Sequence, residues 1–313
     1  MSHSLLSCVQ KTAVTFTAVS ALAFSQLSNA AFSQIISFGD SLSDTGNVAI
    51  ATSGTSPNPA FGYADGNFSN GDIWLDYLGD SLNTGAQSAS LAGGTNYAFG
   101  GARTTVSDTV PSAQAQVAGY LASNTVDPNA LYTLLIGGND INAFDGINVD
   151  ADYIAAAGQA AAGIAQSLIT AGAQSIMILN VPDVGAAPVA PAGLESTLTG
   201  LSALYNGNLA AGLAGLDQSI VTLVDLFTIG QTISANVGTN GLDNVTDACL
   251  SATTGVCSTP GTYLYWDALH PTTAAHALIA DAALATVVPV PAALPLMIFA
   301  LSGLVGARKL RAQ

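Results

Sequence analysis

The chain has 313 residues, of which 50% are hydrophobic and 8% charged, and its 20 acidic residues outnumber the five lysines and arginines. The high apolar fraction excludes a largely disordered chain, and the length suits one large domain or two small ones. Because Arg103 is the only Lys or Arg between residues 12 and 307, the acidic body argues against nucleic acid as a partner.

Residues 1–30 have the pattern of a secretory signal peptide. Lys11 precedes an apolar run from Thr12 to Phe24, and the segment Ser28-Asn29-Ala30 supplies small residues before a cleavage site. The apolar run is short for a membrane span. We therefore expect cleavage after Ala30 and an exported protein, with an uncleaved anchor helix as the alternative.

Residues 31–286 form the predicted working domain, in which strands alternate with helices. We predict strands at 34–38, 95–99, 131–136, 175–179 and 219–224, helices at 70–82, 150–171, 196–215 and from near Pro271 to 286, and a loop at 236–262. The unbroken apolar run 131–136 is typical of a buried parallel strand. This alternation predicts a single α/β domain with an open parallel sheet covered by helices on both faces.

Two cysteines, Cys249 and Cys257, fall within this domain, whereas Cys8 lies in the predicted signal peptide. In an oxidising compartment such a pair predicts a disulfide, with two free thiols as the alternative. No His or Cys cluster lies nearby, and the acids between Asp140 and Asp152 lack the spacing of a calcium loop. We therefore expect no metal site.

The C-terminal segment, residues 287–313, contains a second apolar run that ends in the basic residues 308–311. The run just reaches the roughly 20 residues that span a bilayer, and the basic end would hold the C-terminus in the cytoplasm. The residues VPVPAALPL at 288–296, the apolar run and the basic end together resemble a PEP-CTERM sorting tail of the Val-Pro-Leu-Pro-Ala variant. The resemblance implies an exosortase-type enzyme as partner, transient membrane association, and delivery to the cell surface or extracellular matrix of a Gram-negative bacterium. A plain C-terminal anchor is the alternative.

Polar and glycine residues stand at the predicted strand ends 39–41, 100–101 and 137–140, and Asp267 and His270 stand just before the last helix. The carboxyl ends of parallel strands meet at one edge of a sheet, where ligands of such folds bind. An aspartate three residues before a histidine can fix the imidazole tautomer and stabilise the imidazolium that forms in acyl transfer. The placement of these groups indicates a site at this edge.

Four blocks of the sequence, in this order, resemble the GDSL or SGNH family of lipases and esterases: ISFGDSLSDTGN at 36–47, NYAFGGA at 96–102, IGGND at 136–140 and WDALHPT at 266–272. The segments GNFSNG at 66–71 and NVPDVG at 180–185 are similar to the longer, lipase-type branch of that family. The resemblance spans nearly all of residues 33–286. It implies a flavodoxin-like hydrolase fold that needs no cofactor.

The resemblance also implies a role for each matching residue. Ser41 would be the nucleophile, because a serine hydroxyl attacks esters once a base removes its proton. His270 would be that base, oriented by Asp267. The oxyanion hole, which stabilises the charge of the tetrahedral intermediate, would consist of the backbone N–H groups of Ser41 and Gly101 and the side-chain amide of Asn139, with Gly100 as the alternative donor.

The expected function is a secreted or surface serine esterase or lipase that acts on carboxylic esters. Lipid acyl esters suit the lipase-type branch, whereas O-acetyl groups on a glycan suit the matrix-type tail, and acyl transfer to an alcohol is a further alternative. A surface or matrix protein that uses the fold only for binding is the alternative of another class. We expect structural roles for His276, for Arg103 in an ion pair, and for Asp40 and Asp44 around Ser41.

Overall fold

The computed structural model describes residues 32–288. The predicted signal peptide therefore lies outside the described residues, and so does the predicted sorting tail except for its first two positions. Within residues 32–288, no helix combines the length and the apolar content that a membrane crossing requires.

The central sheet consists of four parallel strands that lie side by side in chain order. They are β1 Ile35–Gly39, β2 Leu131–Leu135, β3 Ile176–Leu179 and β4 Val221–Val224. In the register, Ser37 pairs with Thr133, Thr133 with Met177, and Met177 with Thr222. Parallel neighbours need crossover connections, which here contain the helices.

The described residues form eight α-helices and four short 3₁₀ helices. The α-helices are α1 Asn47–Ala51, α2 Trp74–Leu82, α3 Ala113–Ser123, α4 Gly138–Asn142, α5 Ala151–Thr170, α6 Glu195–Leu213, α7 Leu226–Ala235 and α8 Thr273–Val287. The 3₁₀ helices are Pro59–Phe61, Ser90–Ala92, Val184–Ala186 and Pro260–Thr262. Of the α-helices, α2, α5, α6 and α8 correspond to predicted helices, whereas α1, α3, α4 and α7 were not expected from the sequence.

The two faces of the sheet carry two separate hydrophobic cores. Successive strand side chains point to opposite faces, so Ile36 and Phe38 of β1 pack with α3, α5 and α6. Ile35 of the same strand packs with α2, α7 and α8 on the other face. The prediction of a single α/β domain with an open parallel sheet covered on both faces is therefore confirmed.

The prediction of a strand at 95–99 is wrong, because the segment is not a regular strand. The segment follows the free edge of β1, where Tyr97 N–H donates to Ser37 O, yet it forms only one parallel bridge to β1, at Asn96, which also bridges to Ala89. The Asn96 side chain accepts the N–H of Ala98, and the Asn47 amide donates to the carbonyls of Asn96 and Ala98. These side-chain bonds bend the segment away from a regular ladder.

The predicted loop at 236–262 is also wrong, because it contains three short strands. These are β5 Asn244–Ala248, β6 Leu250–Ser251 and β7 Gly255–Val256, and β5 pairs in parallel with β8, Tyr263–Tyr265. Strands this short are too brief to show a period in the sequence. Pro271 likewise stands just before α8 rather than in its first turn, since the Thr272 side chain caps the helix by accepting the N–H of Ala275.

Candidate active site

Ser41 lies in the turn that leaves the carboxyl end of β1. Gly39, two residues before Ser41, has φ +149°. A Cβ atom at Gly39 would stand 2.3 Å from the carbonyl oxygen of Leu135 on β2. Only glycine permits this close approach of the two backbones. The Ser41 side chain thus enters the edge of the sheet where the loops after β1 and β2 meet.

Three side chains form a continuous hydrogen-bonded chain at this edge. His270 Nε2 lies 2.9 Å from Ser41 Oγ, and His270 Nδ1 lies 2.7 Å from Asp267 Oδ2. Asp267 and His270 come from the loop between β8 and α8, so the structure brings together residues 229 positions apart. This order of hydroxyl, imidazole and carboxylate is the arrangement that activates a serine hydroxyl.

The Asp267 carboxylate is held by more than the imidazole. Its Oδ1 accepts the backbone N–H groups of Leu269 and His270, and its Oδ2 also accepts the Tyr63 hydroxyl at 2.6 Å. Burial alone would raise the pKa of Asp267, but the hydrogen bonds and charge of His270 and the bond from Tyr63 lower it to about 2. The carboxylate is therefore ionised and fixed in orientation at neutral pH.

Tyr63 was missed by the sequence analysis, and so was Phe68. Both come from the loop between α1 and α2. The Phe68 ring lies 5.2 Å, centroid to centroid, from the His270 ring. A Cβ atom on Gly100 would strike the Phe68 ring at 2.4 Å. Phe68 therefore packs between the imidazole and the glycine pair, and the motif GNFSNG at 66–71 was the signal that contained it.

The two candidate glycine donors differ in their bonding. The Gly100 N–H donates to Asp44 Oδ2 at 2.8 Å. Within residues 32–288, the N–H groups of Ser41 and Gly101 have no acceptor. Gly101 has φ +84°, in the left-handed region, and a Cβ atom there would meet open space. The geometry therefore favours Gly101 over Gly100 as a donor to a bound oxyanion.

Asn139 lies in the first turn of α4. The helix is preceded by its N-cap residue Gly137, which has φ +121°. Its side-chain Nδ2 donates to the Ala102 carbonyl at 2.9 Å. An amide nitrogen carries two hydrogens, so one hydrogen fixes the side chain and the other remains for a ligand. The Ala102 carbonyl thereby ties Asn139 to the loop that carries Gly101.

Two buried acids flank Ser41. Asp44 accepts four backbone N–H groups, those of Gly46, Asn47, Val48 and Gly100. Burial raises the pKa of Asp40 to about 7 although the N–H of Leu42 and the charge of His270 lower it. Asp40 is thus protonated far more readily near neutral pH than an exposed aspartate, which limits the negative charge beside the site. Both residues organise the turn, as the sequence predicted.

An apolar cavity of about 280 Å³ opens beside Ser41. It extends from the sheet edge between α7, α8 and the loop after β3. Ser41 and Asn139 border it, whereas His270 and Gly101 do not. Most of its walls are aliphatic, among them Leu42, Val184, Leu226, Ile229, Ile233 and Ile279.

The remaining predicted residues lie outside this constellation. Arg103 forms an ion pair with Asp108. His276 is buried in α8 and its Nδ1 accepts the Trp74 N–H at 3.3 Å, and burial lowers its pKa to about 3. Asp145 accepts three backbone N–H groups of its own loop. No group of His, Cys, Asp and Glu within the described part of the chain has the arrangement of a metal site.

Cys249 and Cys257 are joined by a disulfide that closes the hairpin of β6 and β7. The hairpin is attached to the segment that leads into Asp267, because Cys249 N–H donates to Tyr265 O and Leu250 N–H to Trp266 O. Trp266 N–H in turn donates to the carbonyl of His270. The crosslink thus lies two hydrogen bonds from the backbone of the imidazole.

Comparison with known proteins identifies a matching family and several relatives. The family model described as GDSL-like Lipase/Acylhydrolase matches residues 35–283. The chain is 28% identical over 274 residues to the thermolabile hemolysin of Vibrio parahaemolyticus, covering 80% of this chain and 62% of that protein. It is 39% identical over 157 residues to lipase 1 of Photorhabdus luminescens, covering 48% of this chain and 22% of that lipase. It thus spans less than two thirds of the length of either relative.

A solved structure of a member of the lipolytic G-D-S-L family from Veillonella parvula is also similar. The TM-score is 0.46 and the sequence identity 16%, and the match covers 80% of this chain and 96% of that chain.

Proposed function

Because the chain belongs to the GDSL-like lipase/acylhydrolase family, we propose that it hydrolyses carboxylic esters with apolar acyl groups through an acyl-enzyme on Ser41. The hydrogen-bonded chain from Ser41 Oγ through His270 to Asp267 is the observation that carries the proposal. The reaction requires no metal or cofactor.

In the first half of the reaction, His270 Nε2 takes the proton of Ser41 while Oγ attacks the ester carbonyl. The bond between Oγ and the carbonyl carbon forms, and the carbonyl oxygen becomes an oxyanion. The N–H groups of Ser41 and Gly101 and the Nδ2 of Asn139 donate to this oxyanion. His270 then gives its proton to the leaving alcohol as the bond to that oxygen breaks.

In the second half, water replaces the alcohol. His270 removes a proton from the water, which attacks the acyl-enzyme, and the same oxyanion donors stabilise the second tetrahedral intermediate. The proton then returns to Ser41 Oγ and the carboxylic acid leaves. Asp267 stays ionised throughout and stabilises the imidazolium that forms in each half.

The apolar cavity beside Ser41 supports an apolar acyl group over the alternative of O-acetyl groups on a glycan. An acetyl group would leave most of this volume empty, whereas a longer acyl chain would bury its methylene groups against the aliphatic walls. Esters of fatty acids are the proposed substrate class.

A panel of p-nitrophenyl esters from acetate to palmitate tests the proposal, with the release of p-nitrophenol as the signal. We expect kcat/KM to be higher for esters longer than acetate. Activity confined to acetate would instead support a glycan O-acetyl esterase. The absence of hydrolysis for every ester would leave a binding role for the fold.

We further propose that the protein is exported and processed at both ends, with cleavage after Ala30 and removal of the basic C-terminal end. The disulfide between Cys249 and Cys257 supports export, because such bonds persist in oxidising compartments. Intact-mass measurement on protein recovered from the cell surface is the test. A mass that includes Arg308 to Arg311 would indicate a plain anchor instead of a sorting tail.

A further inference from the structure

Gly230 lies in the interior of α7, where it borders the apolar cavity. Residues three and four apart share a helix face, so Gly230 presents the same face as Leu226 and Ile233, which also border the cavity. Glycine weakens a helix interior because its backbone is free in the unfolded chain. A glycine at this position therefore calls for a structural reason.

Close packing is not that reason. A Cβ atom on Gly230 would meet no heavy atom within 4 Å. By contrast, a Cβ on Gly158 of α5 would stand 2.4 Å from the Tyr205 carbonyl, and one on Gly212 of α6 would stand 2.5 Å from the Cβ of Ala162. The absence of a positive φ at Gly230 removes the other usual reason. What the missing side chain leaves is open volume on the cavity side of α7.

The position of His270 decides which part of an ester enters this cavity. In the proposed reaction the leaving oxygen receives its proton from His270 Nε2, so the leaving alcohol lies on the side of the imidazole. The cavity is bordered by Ser41 and Asn139, and by Leu269 and Pro271 on either side of His270, but His270 itself does not line it. The acyl chain, on the other side of the carbonyl carbon, is therefore the part directed into the cavity.

We infer that Gly230 sets the length of the acyl chain that the enzyme accepts, because the space beside it receives the distal part of a fatty acyl chain. This inference rests on the proposed ester hydrolysis for the direction of the chain. Each methylene group buried in the cavity raises kcat/KM about fourfold. A side chain at position 230 removes that gain only for chains long enough to reach α7.

Gly230 is a better probe of the cavity than its neighbours. Ile229 and Ile233 also border a second, shallower cavity of about 240 Å³ that includes Leu278. Their replacement would change both spaces at once. Of these two cavities, Gly230 borders only the one beside Ser41.

The test compares Gly230→Leu with Gly163→Leu. Gly163 lies in α5, is exposed, and would also place a Cβ in open space, but it does not border the cavity. The measured quantity is the ratio of kcat/KM for p-nitrophenyl dodecanoate to that for p-nitrophenyl butyrate. We expect Gly230→Leu to lower this ratio at least about tenfold and Gly163→Leu to leave it at the parent value. Far-UV circular dichroism and a melting curve verify that both variants fold.

Binding without turnover separates this inference from the proposed function. In a Ser41→Ala background, dodecanoic acid should displace a fluorescent fatty acid, and Gly230→Leu should weaken its binding by about tenfold or more. Gly230-dependent binding, together with a parent protein that retains Ser41 yet hydrolyses no ester, would support this inference and refute the proposed function. Ester hydrolysis with an unchanged chain-length ratio and unchanged binding in Gly230→Leu would overturn the inference alone. If the protein neither binds dodecanoic acid nor hydrolyses any ester, both this inference and the proposed function are overturned.

Discussion

The Tyr63 hydroxyl donates to Asp267 Oδ2, the same oxygen that accepts the bond from His270 Nδ1. The other oxygen, Oδ1, accepts the N–H groups of Leu269 and His270. A carboxylate has about four lone-pair directions, and all four are therefore used. Asp267 cannot rotate without losing a bond, so Tyr63 is a positioning residue for the imidazole.

Tyr63→Phe should lower kcat/KM roughly tenfold, because a hydrogen bond to a charged group contributes about 1.5 kcal/mol or more. The control is Tyr77→Phe, which removes a bond between two neutral hydroxyls, those of Tyr77 and Thr273. We expect Tyr77→Phe to keep the activity of the parent. Steady-state hydrolysis of p-nitrophenyl butyrate measures both. Equal activity of Tyr63→Phe and the parent would refute the positioning role.

The same variant should have a pH-dependent loss of stability. The folded-state pKa of Asp267 is about 2, below the unfolded value of about 3.9. A depressed carboxyl pKa stabilises the fold above the unfolded value, and this contribution is lost as the pH falls through the folded value. The melting temperature of Tyr63→Phe should thus be below that of the parent at pH 7, and the gap should narrow between about pH 4 and pH 2. A difference in melting temperature that stayed constant over this pH range would contradict a charge-assisted bond from Tyr63 to Asp267.

Asn139→Ala should reduce kcat by a factor of about 10²–10³, the usual loss of one oxyanion donor. KM should change little, because the oxyanion exists only after attack. Asn208→Ala is the matched control, since Asn208 also donates from Nδ2 to a backbone carbonyl, that of Leu204. If Asn208→Ala lost kcat to the same extent as Asn139→Ala, the cause would be a folding defect and not the loss of an oxyanion donor.

Replacement of Cys249 and Cys257 by serine should destabilise the fold and reduce activity without abolishing it. A closed loop of nine residues contributes about 2.6 kcal/mol in the chain-entropy description. The hairpin also holds the segment before Asp267, and small errors in catalytic geometry are costly. Melting curves and ester assays with and without reductant are the measurements. Reductant should affect the parent and leave the double variant unchanged; two titratable thiols in the exported parent would disprove the bridge.

His276 should make the fold less stable in acid. Burial lowers its pKa to about 3, below the unfolded value of about 6.5. The unfolded chain therefore binds one more proton between these values, and stability falls by up to about 1.4 kcal/mol per pH unit as the pH decreases. His276→Asn retains an acceptor for the Trp74 N–H but does not titrate. Burial also raises the pKa of Asp40 and of half-buried Asp76, but the parent and the variant share both carboxyl groups, so their contributions cancel in the difference. The parent should therefore lose more stability than the variant between about pH 6 and pH 3. If the stability of the parent and that of His276→Asn fell in parallel with decreasing pH, the result would contradict a buried neutral imidazole at position 276.

Much of the fold could be predicted from short-range patterns. The continuous apolar run at β2 and the helical spacing of α2 depend on local sequence, and the structure has both elements close to where they were expected. The 95–99 segment could not be predicted correctly, because the bonds that bend it come from Asn47, some 49 residues earlier. The short strands β5 and β8 likewise depend on pairing with each other.

The candidate site divides in the same way. Ser41, Asn139, Asp267 and His270 stand in recognisable motifs, so the sequence was sufficient to propose them. Tyr63 stands in no motif, and its partner lies 204 residues away. The choice between Gly100 and Gly101 also required the structure, because it depends on the bond from Gly100 to Asp44.

Ser41 is the proposed nucleophile. The most direct measurement is the mass of the protein after reaction with a fluorophosphonate, which phosphonylates an activated serine, followed by peptide mapping. The parent should gain one phosphonyl group on the peptide that contains Ser41, and Ser41→Ala should gain none and hydrolyse no p-nitrophenyl butyrate. Ser167→Ala, which replaces an exposed serine of α5, should react like the parent. A label on another residue, or parental hydrolysis by Ser41→Ala, would contradict the mechanism.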